Sequence, residues 1–160
     1  LWSRYEPEKR GVVLAYASMY GNTENAVGVM ANRLAEAGVK DMRVHDVSKS
    51  HASFIIADAF KYSHLVLASP TYNMGLYLGM ESLIRDMAAL NLKNRKVALI
   101  GNGTWAPAAH TIMQKLVGEM KDMELLAEPF VLRSSLKASQ MDELNKLTDA
   151  VAQSVLGAEA

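Results

Sequence analysis

Three stretches of this chain are short, apolar and nearly free of alternation: "GVVLAYAS" (11–18), "HLVLAS" (64–69) and "RKVALIGN" (95–102). A strand with apolar residues at successive positions is covered on both faces, the mark of a parallel sheet between helical layers. Two further strands are expected, a more alternating "MRVHDV" (42–47) and a last one, "LLAEPFVLR" (125–133), interrupted by Pro129. Between and after them lie segments of helical spacing at 24–38, 52–62, 78–90, 108–123 and 139–156. Parallel neighbours need crossover connections, and right-handed crossovers place helices on both faces. Gly38 is the natural cap for the first helix, after Val27, Met30, Ala31 and Leu34.

At 160 residues the chain suits one such domain. Its 17 basic and 17 acidic residues cancel, so neither nucleic acid nor an anionic surface is announced as a partner. No apolar run approaches the roughly 20 residues needed to span a bilayer, and no membrane partner is expected. The first ten residues, "LWSRYEPEKR", are polar and charged, and a cytoplasmic location is the simplest expectation. Without cysteine there are no disulfides, thiolate metal sites or cysteine nucleophiles.

In a doubly wound sheet, ligands bind outside the carboxyl ends of the strands where the strand order reverses. The loops to inspect are therefore those after the first, third and fourth strands. The first, "SMYGNT" (18–23), opens a helix, whose unpaired N–H groups and partial positive charge make an anion site. Gly21 permits close backbone approach, while Ser18, Tyr20, Asn22 and Thr23 add side-chain donors. No lysine is present, and the nearest following cation is Arg33. Both the nucleoside triphosphate pattern G-x-x-x-x-G-K-[ST] and the dinucleotide pattern G-x-G-x-x-G are absent. A terminal monophosphate held by N–H and O–H groups fits this loop; so does a hydroxyl-rich helix cap, since Thr23 can cap without a ligand.

The third-strand loop, "SPTYNMG" (69–75), offers Tyr72 and Asn73 between Pro70 and Gly75. The fourth, "GNGTWAP" (101–107), offers Trp105 with Gly101 and Gly103 for backbone access. Two adjacent glycine-bearing loops with one aromatic each suit a flat heteroaromatic ring, to which stacking adds about 1 kcal/mol. Met19 and Met74 would border that ring. A phosphate seat and a ring seat on one sheet edge are the parts of a nucleotide-like cofactor site.

These residues carry a family resemblance. "SMYGNT" resembles the flavodoxin phosphate loop T-x-T-G-x-T, with Ser18, Tyr20 and Thr23 at the three hydroxyl positions. "SPTYN" resembles the second FMN loop of the flavodoxin-like superfamily. With a tryptophan after the fourth strand, the set is most similar to the C-terminal flavodoxin domain of flavodiiron proteins (A-type flavoproteins), over residues 11 to 156. The resemblance implies a flavodoxin-like three-layer α/β sandwich, its five-stranded parallel sheet ordered 2-1-3-4-5 with helices on both faces. It implies FMN as cofactor, held by Ser18, Met19, Tyr20, Gly21, Asn22 and Thr23, by Pro70, Thr71, Tyr72, Asn73 and Gly75, and by Asn102, Gly103, Thr104, Trp105 and Ala106. The last loop departs from the pattern: the family often has glycine-serine-aromatic-glycine-tryptophan, whereas this chain has Gly101-Asn102-Gly103-Thr104-Trp105 followed by Pro107.

The function so implied is electron transfer through FMN, without a complete catalytic site in this chain. Residues 1–10 would be the remnant of a connector and 11–157 the flavodoxin-like domain. The parent would be an oxygen or nitric oxide reductase, in which electrons pass from rubredoxin or a flavin reductase to a diiron site on another domain; a homodimeric parent fits the same resemblance. A free-standing flavodoxin is the alternative, although such proteins are usually strongly acidic and this chain is neutral. The altered 101–107 loop leaves open a cofactor-free interaction module. A receiver domain needs an aspartate where Ser69-Pro70-Thr71 stands, and a quinone reductase needs a longer loop after the third or fourth strand. His45, His51, His64 and His110 are dispersed without metal-ligand spacing and are expected at the surface or at strand ends. Of the ten methionines, Met30, Met80, Met87, Met113 and Met120 are expected in the core. The segments around "RDMAALNLKNRK" and "KLVGEMKD" read as solvated helix faces and turns.

Overall fold

Along β1 (Lys9–Tyr16), Val12, Val13, Leu14 and Ala15 are all buried, and their side chains divide between two cores. Val13 and Ala15 enter one, Val12, Leu14 and Tyr16 the other, as the two-residue period of a strand requires. The structure is a computed structural model that describes residues 9–17, 22–49, 51–72, 75–76, 78–90, 92, 95–102, 109–120, 122–126, 130–132 and 138–157. β2 (Met42–Asp46) and β3 (Tyr62–Tyr72) flank β1 in parallel, and β5 (Arg95–Asn102) follows β3. β6 (Met123–Leu125) and β7 (Phe130–Leu132) both pair with β5 in parallel, at Val97↔Leu125 and Ile100↔Phe130. The expected final strand is therefore two short pieces on one neighbour, separated in the segment that contains Pro129, which cannot donate to a ladder. Taken as one strand, they complete the expected order 2-1-3-4-5.

One core lies beneath α2 (Ala52–Lys61), α3 (Leu78–Ala89) and α4 (Ala109–Gly118). The other lies beneath α1 (Asn22–Ala37) and α5 (Ala138–Gly157). The five methionines expected in the core are there: Met30, Met80, Met87 and Met113 are fully buried, and Met120 nearly so. Arg33 of α1 makes a two-pronged pair with Asp149 of α5, with Nε to Oδ1 at 2.9 Å and Nη2 to Oδ2 at 3.1 Å. α1 ends as its sequence suggests. Gly38 adopts φ +106°, its N–H donates to Ala35 O, and the Val39 N–H donates to Leu34 O. This pair of bonds satisfies carbonyls that the last turn would otherwise leave open. α4 is shorter than the expected 108–123. It stops at Gly118, Asp122 turns the chain at φ +56°, and Met123 already belongs to β6.

At the amino-terminal edge of the sheet, Gly11 leaves no room for a side chain. A Cβ there would stand 2.6 Å from Asp41 O and 2.6 Å from Tyr62 Cδ1. The first neighbour is backbone held by the Val12 N–H, at 3.0 Å, and the second belongs to a fully buried ring. Gly11→Ala is expected to cost about 1–3 kcal/mol through overpacking, read as a fall in the urea midpoint at unchanged slope.

Candidate cofactor site

β1, β3 and β5 lie side by side, so the loops leaving their carboxyl ends share one edge of the sheet. The Ala17 N–H still donates to Ala68 O at 2.9 Å, carrying the β1–β3 pairing to the mouth of the first loop. α1 then begins at Asn22, which directs its amino terminus to the same edge. Ser69↔Gly101 and Pro70↔Asn102 are register partners of β3 and β5, so the other two loops start next to each other. The third-strand segment is more ordered than the loop expected from sequence. Thr71 and Tyr72 pair antiparallel with Leu76 and Gly75 of a short β4 (Gly75–Leu76), forming a hairpin.

Of the sixteen residues expected to hold FMN, the backbone places seven. Asn22 and Thr23 stand in the first turn of α1, Pro70, Thr71 and Tyr72 at the end of β3, Gly75 in β4, and Asn102 at the end of β5. Ser18, Met19, Tyr20, Gly21, Asn73, Gly103, Thr104, Trp105 and Ala106 lie outside the described residues. The chemistry of the first-loop set fits a phosphate monoester: hydroxyl and amide donors next to the positive end of a 16-residue helix, without a lysine. Arg33, the nearest following cation, is committed to Asp149.

Sequence reading passed over three groups at this edge. Tyr16 closes β1, only 9% exposed, with Asp46 of β2 as its register partner. Glu24, in the first turn of α1, is the second carboxylate whose charge reaches it. Burial first, then the charges of Asp46 and Glu24, push the Tyr16 pKa above the ordinary tyrosine value, so it keeps its proton. Asp46 is held apart, accepting from the Ser48 N–H at 2.9 Å and the Ser48 hydroxyl at 2.6 Å. A tyrosine at the exit of a buried strand, with a glutamate in the following helix turn, was the available signal.

No group of three or more histidine, aspartate or glutamate residues suitable for a metal occurs among the described residues. His45 pairs with Asp58 at 2.7 Å, and His51 caps α2 by accepting from the Ser53 N–H. His64 stands near the start of β3, at a strand end as one of the two expectations has it, but not at the surface. It is buried on β3, its ring nitrogens 2.6 Å from Ser63 Oγ and 2.7 Å from Ser154 Oγ. Burial, then the charges of Lys96 and Arg10, lower its pKa to about 4. A groove of about 370 Å³ lies between the last turn of α1 and α5, lined by Ala37, Asp149, Ala152, Gln153 and Leu156. It is at the far end of α1 from the three loops. Among the described residues no helix is long and apolar enough to cross a membrane.

Comparison with known proteins agrees with this geometry. The chain superposes on the rubredoxin oxygen:oxidoreductase of Desulfovibrio gigas with a TM-score of 0.91 at 18% identity, covering 99% of this chain and 39% of that one. An archaeal flavodoxin matches with a TM-score of 0.77 at 19% identity, over 91% of this chain and 98% of its own. Identities this low establish the fold. In sequence, an uncharacterized protein of Methanocaldococcus jannaschii is 28% identical over 102 residues, 63% of this chain and 26% of that protein. The chain thus spans about a quarter of the curated relative it matches. The model of the flavodoxin family matches residues 14–149, which include all three loops and every strand from Leu14 onward. The chain therefore belongs to the flavodoxin family, whose members bind FMN and transfer electrons through it.

Proposed function

We propose that this chain is the FMN-binding electron-transfer module of a flavodiiron-type oxygen or nitric oxide reductase. In this reading residues 11–157 form the flavodoxin domain and residues 1–10 a connector to a domain with a diiron site. Electrons enter from rubredoxin or a flavin reductase and leave for that site. The observation that carries the reading is the match of 99% of this chain to little more than a third of the rubredoxin oxygen:oxidoreductase, at a TM-score of 0.91.

Bound FMN would supply the redox chemistry; the chain supplies position and electrostatics. Ser18 to Thr23 and the first N–H groups of α1 would hold the terminal phosphate. Pro70 to Asn73 with Gly75, and Asn102 to Ala106, would border the ring, Tyr72 and Trp105 covering it. The hairpin of Thr71–Tyr72 with Gly75–Leu76 would then border the ring with paired backbone.

Purified protein is expected to bind added FMN with quenching of its fluorescence. Gly21→Leu should weaken binding about 100-fold or more, since a side chain there would fill the space the phosphate needs. Protein that stays colourless with FMN, or a Gly21→Leu variant that binds normally, would refute the cofactor site. An upstream reading frame without a diiron-ligand domain would instead leave a free-standing carrier, as in the archaeal flavodoxin that this chain matches nearly end to end.

A further inference from the structure

Asp46 closes β2 at the carboxyl edge, and its side chain stands on the face of the sheet that α1 covers. Asp46 lies opposite Tyr16, and Tyr16 packs with Ala26, Val27 and Met30 of α1. Opposed residues of neighbouring strands share a face. The alternation along β2 agrees: Met42 packs on that same core, while His45 reaches Asp58 of α2 on the other face at 2.7 Å. The carboxylate is fixed in place. Its Oδ1 accepts from the Ser48 N–H at 2.9 Å and the Ser48 hydroxyl at 2.6 Å, and the Asp46 carbonyl accepts from the Lys49 N–H at 3.0 Å. A turn of this kind needs a side-chain acceptor and no charge, and asparagine forms it as aspartate does. The charge is surplus to the turn.

Its place gives that charge a target. The first cofactor loop begins at Ser18, two residues after Tyr16, and ends in the first turn of α1. Neighbouring strands lie about 4.8 Å apart and two residues reach at most about 7 Å, so the backbone of Asp46 is within roughly 12 Å of the start of that loop. Among the described residues no cation pairs with it: Arg33 is bound to Asp149, and Lys49 is exposed and forms no ion pair. We infer that Asp46 is a specificity-determining residue of the FMN site, whose fixed carboxylate opposes the phosphate dianion and so sets how strongly the site prefers a phosphorylated flavin to a neutral one. The inference rests on the FMN reading above. The seat then holds its ligand by N–H and O–H donors against a standing repulsion, which salt screens.

The test is titration of the apoprotein with FMN and with riboflavin, which shares the ring and lacks the phosphate. Asp46→Asn keeps the turn and removes the charge. It is expected to lower the Kd for FMN about three- to ten-fold at about 10 mM salt and to leave that for riboflavin unchanged. Most of the gain should vanish at about 1 M salt, where charges are screened beyond about 3 Å. Asp46→Glu keeps the charge and should bind FMN no tighter than wild type. FMN binding that Asp46→Asn leaves unchanged or weakens, an equal change for riboflavin, or a gain that Asp46→Glu reproduces would overturn the inference. Should Asp46→Asn not fold, Asp46→Ser, which supports the same turn, decides by the same criteria. Wild-type protein that binds riboflavin as tightly as FMN would remove the phosphate seat, and this inference with it. That result appears before any variant is made.

Discussion

Arg95→Ala is expected to lower the free energy of unfolding by on the order of 3–5 kcal/mol. Arg95 opens β5 with its side chain 98% out of solvent, its Nε donating to Ala59 O at 3.0 Å and its Nη2 to Phe60 O at 2.8 Å. Those carbonyls belong to the last turn of α2, where a cation also meets the negative end of the helix dipole. Burial lowers the guanidinium pKa to about 10, which leaves it charged at neutral pH. Alanine would remove both donors, leave a cavity the size of the side chain, and strand two carbonyls that α2 cannot satisfy itself. Arg95→Lys keeps the charge but not the fork, and should fall between the two. Chemical denaturation followed by circular dichroism measures the effect; a loss below about 1 kcal/mol would show that the site relaxes or hydrates freely.

The second large effect is a change of stability with pH. His64 is buried neutral, with a pKa near 4 against an unperturbed 6.5. Above pH 6.5 neither the folded nor the unfolded chain protonates it, and its contribution is intact. As pH falls from 6.5 towards 4, the unfolded chain takes up the proton and the folded chain does not, so stability is lost across that window. By pH 4.5 the loss from this one group is roughly 2–3 kcal/mol. His64→Gln cannot titrate, while its amide can still reach Ser63 and Ser154. The difference in unfolding free energy between variant and wild type should therefore shift by that amount in favour of the variant between pH 7 and 4.5. Parallel curves for the two proteins would contradict a buried neutral ring.

Both residues show what sequence reading misses. The buried strands were legible because their apolar runs lack alternation, and four of the five helices kept their bounds within about two residues, within the usual spread of helix ends. α4 did not, because Met120 and Met123 continue an apolar pattern past Gly118, where the backbone has already turned. The hairpin at Thr71–Tyr72 was invisible, since a ladder of two residues on each side leaves no periodicity to detect. Arg95 stands where a segment that reads as a solvated turn runs into an apolar strand, and His64 is one of four dispersed histidines. Their burial is set by partners 35 to 90 residues away, Phe60 for Arg95 and Ser154 for His64, which no local pattern encodes. The candidate site divides the same way. Its place follows from strand order and from the glycine- and hydroxyl-rich loops. The burial of Tyr16 and its place beside Asp46 depend on how β1, β2 and α1 meet, and only the fold shows them.

The direction shared by β1, β3 and β5 has a consequence for how this domain can change. Gly11, His64 and Arg95 stand at the start of their strands, and the three loops stand at the finish. From His64 to Pro70 is six residues of extended chain, roughly 20 Å. Substitutions that far apart combine additively when they share no neighbours. Robustness and cofactor chemistry are thus separately adjustable: a lineage, or an engineer, can harden one end of the sheet while the other explores new ligands and potentials.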